Sequence, residues 1–171
     1  MSVFTEGSLV FTFDDQQCQA SQYDRWSFYR NQYSKMQYGI KAVDFLCSDN
    51  AQVLWLIEVK DYRRPNTPKP SNLPHTIASK VLDTLSGLVA AQCNANDAHE
   101  RQFARQALTS SRLRVVAHIE QPTKPSRLFP RAVDQADLKS KLKKLVRAID
   151  SHPVVVDHQT LPQQIPWTVA G

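Results

Sequence analysis

The sequence predicts an α/β domain in which a central mixed β-sheet is flanked by helices. Two observations support this fold class: strand patterns alternate with helical patterns along the chain, and two apolar runs in the first half have the length of buried strands. The chain has 171 residues, of which 42% are hydrophobic and 22% charged. We therefore expect one domain, 1–171, with a core from about residue 8 to 158 and an irregular C-terminal tail.

The first half of the chain predicts three strands and a short helix. Residues 8–13 are β-branched or aromatic and predict a strand. Residues 21–24 have the spacing of a capping box, with Asp24 in the capping role, and predict the start of a short helix rich in aromatic residues. Residues 40–47 and 53–57 are apolar segments separated by a polar turn, so we interpret them as antiparallel strands.

The second half alternates helix and strand. Apolar residues recur at helical spacing in some segments and at every second position in others. The predicted order is a proline-rich exposed loop at 63–75, a helix at 76–93, a further helix ending at 108, a strand at 113–120, a helix at 135–150 and a strand at 154–156.

Composition limits the classes of function. The formal net charge of +5 favours an anionic partner such as nucleic acid. No apolar stretch approaches transmembrane length, and the first residues do not resemble a secretion signal, so we expect no membrane association. The three cysteines are widely spaced and fit a reducing cytoplasm. The chain has only four glycines, and they lie far apart, which argues against a phosphate-binding loop.

Three charged residues lie at or near the ends of the two central strands. Glu58 and Lys60 share one face of their strand, because side chains alternate along a strand. Asp44 joins that face if the loop between the strands is longer than two residues, for example residues 49–53. Charged groups at the ends of core strands are costly to bury, so a metal, a partner or a substrate is expected there.

Asp44 followed by Glu58-Val59-Lys60, in two strands succeeded by a helix and a strand, resembles the PD-(D/E)XK nuclease superfamily. The sequence around these residues is also similar to small bacterial proteins of that fold. The resemblance implies a restriction-endonuclease-like three-layer domain. Val43 stands where the family name has a proline, and Asp24, or less well Glu6, is the candidate for the acid that many members carry on the first helix.

The resemblance implies a metal site. Asp44, Glu58 and the carbonyl of Val59 would bind Mg²⁺ or Mn²⁺, with Asp24 as a further candidate ligand. Lys60 would act as the catalytic base or stabilise developing negative charge, which makes Asp44, Glu58 and Lys60 the expected catalytic residues. An ordinary salt bridge on a solvated face is the alternative interpretation of Glu58 and Lys60.

Basic residues suggest where nucleic acid would bind. Arg63, Arg64 and Lys69 adjoin the expected site in the proline-rich loop and could follow a phosphate backbone. Lys80 and Thr84 lie one helical turn apart and could hold phosphate or order water. The polar side of the last helix is also basic, but we interpret it mainly as a solvated face. Its basic residues are Lys139, Lys141, Lys143, Lys144 and Arg147.

The predicted function is therefore a divalent-metal-dependent nuclease that hydrolyses phosphodiester bonds, with DNA favoured over RNA and with exonuclease and endonuclease modes both open. The alternative is a catalytically silent binding or assembly module in a larger complex, for example in a defence or mobile-element system, since fold does not fix function. The small size favours a homodimer or a protein partner in either case.

Overall fold

The computed structural model describes residues 1–63, 67, 70–122, 124 and 132–171. It confirms the α/β class and has three layers: helices, a five-stranded mixed sheet and a three-stranded antiparallel sheet. The helices lie on one face of the five-stranded sheet, and the smaller sheet covers the other face. The helical layer expected beside the central sheet is thus present on one face, and the layer on the other face is a sheet.

The five-stranded sheet has the order β3-β4-β5-β6-β7. Its strands β3 to β5 are antiparallel, whereas β5, β6 and β7 are parallel. Each parallel pair is joined through helices, as parallel neighbours require. The strands are β3 at Cys18–Gln22, β4 at Phe45–Asp49, β5 at Val53–Asp61, β6 at Arg112–Glu120 and β7 at Val154–Val156.

The three-stranded sheet joins the two ends of the chain. Strands β1 (Ser2–Glu6) and β2 (Leu9–Phe13) form a hairpin, and β8 (Trp167–Ala170) pairs with β2. The predicted irregular tail is therefore wrong for its last residues. The sequence does not predict strands β1 and β3, because most of their residues are polar or only partly buried and their apolar pattern is weak.

The helices differ from prediction at some of their ends, and α4 stops at Val146 and not near residue 150. Helix α2 begins before residue 76, because Asn72 accepts a hydrogen bond from His75 N–H and Pro74 is tolerated in the first turn. The capping box predicted at residues 21–24 is wrong: Ser21 belongs to a strand, and its hydroxyl accepts a hydrogen bond from the Trp26 indole. The helices are α1 at Ser27–Asn31, α2 at Leu73–Asn94, α3 at Ala98–Ala107 and α4 at Gln135–Val146, with 3-10 turns at Tyr23–Arg25 and Tyr33–Lys35.

Strand β5 divides the apolar residues between two cores. Leu54 and Leu56 pack against the helices, whereas Trp55 and Ile57 pack against the three-stranded sheet. This division follows from side-chain alternation and confirms the predicted faces. Because the strand is buried on both sides, any charged side chain on it must find partners within the protein.

The register of β4 and β5 brings the expected site together. Phe45 pairs with Ile57 and Ser48 with Leu54, so residues 49–53 connect the strands, as the sequence interpretation required. The ladder continues one step beyond β4, where Asp44 N–H donates to the Ile57 carbonyl at 3.1 Å. Asp44 consequently lies opposite Glu58 and on the same face of the sheet.

Within the part of the chain that the structure describes, no helix combines the length and the apolar character needed to cross a bilayer.

Candidate functional site

Glu58 lies at the centre of a cluster of charged side chains beneath α2. It is fully buried, and both of its carboxylate oxygens accept hydrogen bonds from ammonium groups. Lys60 Nζ lies 2.5 Å from Oε1, and Lys80 Nζ lies 2.7 Å from Oε1 and 2.8 Å from Oε2. The structure thus brings Lys80, predicted as a phosphate contact, into direct contact with Glu58 of the strand motif and close to Lys60.

Asp44 is held beside Glu58. Its side chain is buried, and one carboxylate oxygen accepts a hydrogen bond from Val59 N–H at 2.6 Å. The other oxygen lies 3.9 Å from Lys80 Nζ. The Val59 carbonyl accepts a hydrogen bond from Lys60 Nζ at 3.1 Å. Each of the three groups expected to bind metal is therefore already engaged by a donor of the protein.

A second set of acids is better placed to accept a cation. Oxygens of Glu6, Asp24 and Asp44 lie within 4.8 Å of one another. One carboxylate oxygen of Asp24 is buried and has no hydrogen-bond partner among the described residues. Glu6 and Asp24 are the two candidates for the acid that many members of the superfamily carry on the first helix, and both lie at this place. Hard carboxylate oxygens in this number are a donor set that fits Mg²⁺ or Mn²⁺.

Negative charge exceeds positive charge in this cluster. We use the term charged cluster for four acids and two bases, namely Glu6, Asp24, Asp44, Glu58, Lys60 and Lys80. Its formal charge is about −2 when all groups are ionised, and the exposed Arg25 offsets part of the charge at Asp24. A bound divalent cation would balance the negative charge that remains in the cluster.

The excess of acid changes the protonation of the cluster. Burial, and next the neighbouring Glu58 carboxylate, raise the pKa of Asp44 well above its ordinary value. Burial and then Glu6 raise the pKa of Asp24. Burial acts to lower the pKa of Lys60, but the Glu58 carboxylate outweighs it and leaves that pKa raised. Lys60 therefore stays an ammonium, while Asp44 and Asp24 hold protons more tightly than ordinary aspartates.

A small open cleft adjoins the cluster. Its volume is about 200 Å³, and Glu6, Lys60 and Val59 contribute to its wall. Since a water molecule occupies roughly 30 Å³ of liquid, the cleft has room for a hydrated cation or for a phosphate group. The carboxyl end of β5 is thus reachable from solvent through the side that contains Glu6 and Lys60.

The basic loop residues have different surroundings from those expected. The Arg63 guanidinium donates two hydrogen bonds of 2.9 Å to Asp61 and one of 2.8 Å to the carbonyl of Gly171. The pair with Arg63 lowers the pKa of Asp61 to about 2. Arg63 thus joins the end of β5 to the C-terminal residue. Arg64 and Lys69 lie outside the described residues.

Thr84 lies in the core. It is fully buried, and its hydroxyl accepts a hydrogen bond from Val43 N–H at 3.0 Å. The neighbouring Asp83 accepts from Lys41 N–H at 2.9 Å. A phosphate group cannot reach Thr84 in this arrangement, which corrects the predicted contact. Thr84 and Asp83 instead fix the segment before β4 and so position Asp44.

Sequence reasoning missed the buried carboxylate of Glu120. Glu120 accepts hydrogen bonds of 2.8 Å from His118 Nε2 and of 2.8 Å from His158 Nδ1, and His158 N–H donates to it at 2.7 Å. Burial acts to raise the pKa of Glu120, but these hydrogen bonds outweigh it and lower the pKa to about 2. The alternation of β6 places His118 and Glu120 on one face, which was the available signal.

Comparison with known proteins gives one informative relative. No family model matches the chain, and no solved structure matches it. The chain is 31% identical over 210 aligned residues to a cysteine-tRNA ligase of Neisseria meningitidis serogroup A. The match covers 99% of this chain but 30% of the ligase, so the chain spans less than a third of that relative.

This comparison overturns the predicted function. The relative is named as a tRNA ligase, which conflicts with a nuclease or hydrolase acting on DNA and with a silent module of a defence or mobile-element system. The physical reason lies in the motif itself, since two carboxylates and a lysine at strand ends also occur as an internally paired group. Here Glu58 is bound by two lysines of its own chain.

Proposed function

We propose that this chain is a tRNA-binding module that acts with a cysteine-tRNA ligase. The observation that carries the proposal is the match of 99% of the chain to a portion of one such ligase. The match covers only 30% of that relative, so the joining of an amino acid to tRNA is not assigned to this chain. The portion that the two proteins share would help the ligase to bind its tRNA.

The charge of the chain supports RNA as the bound partner. The formal net charge is +5, and helix α4 exposes a group of basic side chains. Among the described residues, the ion pair found on this group joins Lys141 to Asp137, and the other members have no acidic partner. This group, the α4 basic face, consists of Lys139, Lys141, Lys143 and Lys144 of the helix and Arg147, which follows its last residue. Uncompensated basic charge on one helix face binds a phosphate backbone without reading its sequence.

A divalent cation belongs to the proposal. Glu6, Asp24 and Asp44 would hold Mg²⁺ or Mn²⁺, which keeps part of its water shell and binds phosphate oxygens directly. Lys60 would stay paired to Glu58 at the edge of the cleft and, as an ammonium with a raised pKa, would attract a phosphate. The cluster would thus hold one phosphate, while the α4 basic face supplies affinity.

Two further expectations remain parts of this proposal. The restriction-endonuclease-like topology would serve as a scaffold for binding, since one fold supports many functions. A cytoplasmic location, expected from the cysteines, would place the chain where tRNA is available.

The proposal is tested by RNA binding. The affinity of the protein for a transcript of the tRNA for cysteine is measured at several salt concentrations, and a DNA duplex of similar length serves for comparison. We expect tighter binding to the tRNA and a linear dependence of log affinity on log salt. Replacing Lys139, Lys143 and Lys144 by Ala reduces the slope by about 0.9 for each phosphate that the protein no longer neutralises.

A matched control removes the same charge elsewhere. Arg30, Lys35 and Lys41 are exposed basic residues outside α4, and their replacement by Ala should leave most of the salt slope in place. Equal reduction of the slope in both triple variants would mean that net charge, and not the α4 basic face, carries the binding. Equal affinity for DNA and tRNA would remove the link to the ligase.

A further inference from the structure

An open pocket lies between the start of α2 and one side of α4. Its volume is about 600 Å³, which falls among the roughly 300 to 1,000 Å³ of pockets that bind small organic ligands. Helical spacing brings residues 134, 138, 141 and 145 of α4 and its cap to the same side, so they share one wall. We use the term α2–α4 pocket for the space between Leu73, His75, Leu138, Lys141, Lys144 and Leu145.

The pocket has an apolar floor. Leu73 and Leu138 line it and are almost fully buried, whereas Leu145 is 38% exposed and lies at its edge. Pro70 and Pro74 add two apolar rings to the wall on the α2 side. A flat apolar group that entered here would cover Leu145 and lie against buried leucines, with a favourable free energy from the area removed from water.

Cation and anion are unequally satisfied at the rim. Lys141 Nζ lies 2.7 Å from the carboxylate of Asp137, and Asp134 accepts hydrogen bonds from two N–H groups in the first turn of α4. Lys144 has no acidic partner in the part of the chain that the structure describes. The first turn of α2 also borders the pocket, and the N-terminal end of a helix carries partial positive charge. The rim is therefore prepared for one anionic group at Lys144.

Polar groups complete the wall. Ser71, Asn72 and His75 lie at the opening, where their side chains offer hydrogen-bond donors and acceptors to a ligand. An apolar floor, a few polar groups and one unpaired cation at the rim match the three parts of a nucleotide, namely the faces of the base, its edges and the phosphate. A base in a duplex cannot enter, because it is stacked and paired, so the fitting nucleotide is an unpaired one.

We propose that the α2–α4 pocket binds one unpaired nucleotide of the tRNA, with the base against Leu138 and Leu145 and the phosphate at Lys144. This inference rests on the proposed function and deepens it. Lys144 belongs both to the pocket and to the α4 basic face, whereas Lys139 and Lys143 do not line the pocket. The pocket would hold the nucleotide, and the other lysines would follow the backbone that leads to it.

Nucleotide binding is tested on the full chain by NMR. The protein is titrated with adenosine monophosphate, cytidine monophosphate, adenosine and inorganic phosphate, and amide signals are followed. We expect both monophosphates to shift signals of residues 70–75 and 133–145. Leu145→Gln should weaken binding of adenosine monophosphate by about fivefold, since an apolar contact with the base is lost. Lys144→Ala should weaken binding of the monophosphate and leave that of adenosine unchanged.

The chain offers a matched control for each variant. Leu82→Gln makes the same substitution at another exposed leucine, outside the pocket, and Lys143→Ala removes the same charge beside it. Both should bind adenosine monophosphate like the wild type. With the tRNA transcript, Leu145→Gln should lower affinity at every salt concentration without changing the salt slope, because no charge is removed. Its affinity for the DNA duplex should stay unchanged, and circular dichroism should show an intact fold.

Four results would overturn the inference. They are the absence of shifts with both monophosphates, shifts with inorganic phosphate that equal those with adenosine monophosphate, equal weakening in Leu145→Gln and Leu82→Gln, and unchanged tRNA affinity in Leu145→Gln. The last result, combined with binding of the monophosphates, would assign the pocket to a free nucleotide. A wild type that binds the monophosphates in the pocket but does not bind tRNA would instead count against the proposed function.

Discussion

Two buried carboxylates on neighbouring strands have opposite surroundings. Glu58 on β5 lies opposite Ala117 of β6, and Glu120 follows Ala117 by three residues, so the two acids face opposite sides of the same sheet. Glu58 lies under helix α2, in a cluster with more acids than bases. Glu120 lies between the two sheets and is bound by His118 and His158.

Comparison of the two acids teaches which surroundings of a buried acid indicate a ligand site. Both oxygens of Glu120 accept hydrogen bonds from histidines of the same chain, so the carboxylate itself is fully partnered, although the buried Nδ1 of His118 has no partner among the described residues. Both oxygens of Glu58 are satisfied as well, but the lysines that bind it leave neighbouring Asp24 and Asp44 without enough positive charge. Uncompensated charge around a buried acid, and not its burial, points to a cation site.

The largest expected effect comes from breaking the Glu58 group. Glu58→Ala leaves the ammonium groups of Lys60 and Lys80 beneath α2 without their main partner, so we expect a decrease of about 3 to 5 kcal/mol in the free energy of unfolding. Urea unfolding at neutral pH measures it. The double variant Glu58→Leu, Lys80→Met should recover part of this stability, because it removes a charge of each sign. A decrease below about 1 kcal/mol in the single variant would contradict the pairing.

Glu120 gives a medium effect that depends on pH. Its folded pKa of about 2 lies below the ordinary value near 4.3, so its stabilising contribution is complete above that value and is lost as pH falls towards 2. We expect Glu120→Gln to lower the free energy of unfolding by about 2 kcal/mol at pH 6 and by much less near pH 2. Unfolding curves of both proteins across this range provide the measurement. Parallel decreases at all pH values would show that packing, and not ionisation, accounts for the effect.

The smallest expected effect is that of Mg²⁺ binding, which should depend on the charged cluster around Glu58 and not on the Glu120 group. Mg²⁺ at ten times its dissociation constant stabilises a protein with one site by about 1.4 kcal/mol, which corresponds to a rise of a few degrees in melting temperature. We expect this rise in the wild type and in Glu120→Gln, but not in Asp24→Asn. Melting is compared with Mg²⁺, with Mn²⁺ and with chelator. An undiminished rise in Asp24→Asn would remove Glu6, Asp24 and Asp44 as the site of the cation.

Helix α1 illustrates how local signals can mislead. The spacing of Ser21 and Asp24 predicted a capping box, but the helix begins at Ser27 and its first N–H groups donate to Glu100 of α3. The cap lies more than seventy residues away in the chain. No local spacing could indicate it, because the contact depends on how α3 packs in the helical layer.

The side chains of α2 show a related limit. Helical spacing placed Lys80 and Thr84 on one flank, but it did not fix the rotation of the helix over the sheet. That rotation buries Thr84 completely and directs Lys80 to Glu58. It also leaves Leu82 and Val89 exposed, although both are apolar.

The sequence by itself determined the α/β class and the two faces of β5, because strand alternation is a local property. It left the length of the connection between β4 and β5 as a condition, and the register of the two strands met that condition and placed Asp44 opposite Glu58. Only the tertiary structure decided that Glu6 joins Asp24 and Asp44, that Arg63 is bound to Asp61, and that β8 completes the second sheet. Most of these contacts join distant parts of the chain, and their partners are chosen by packing and by the need to balance buried charge, which no local pattern records.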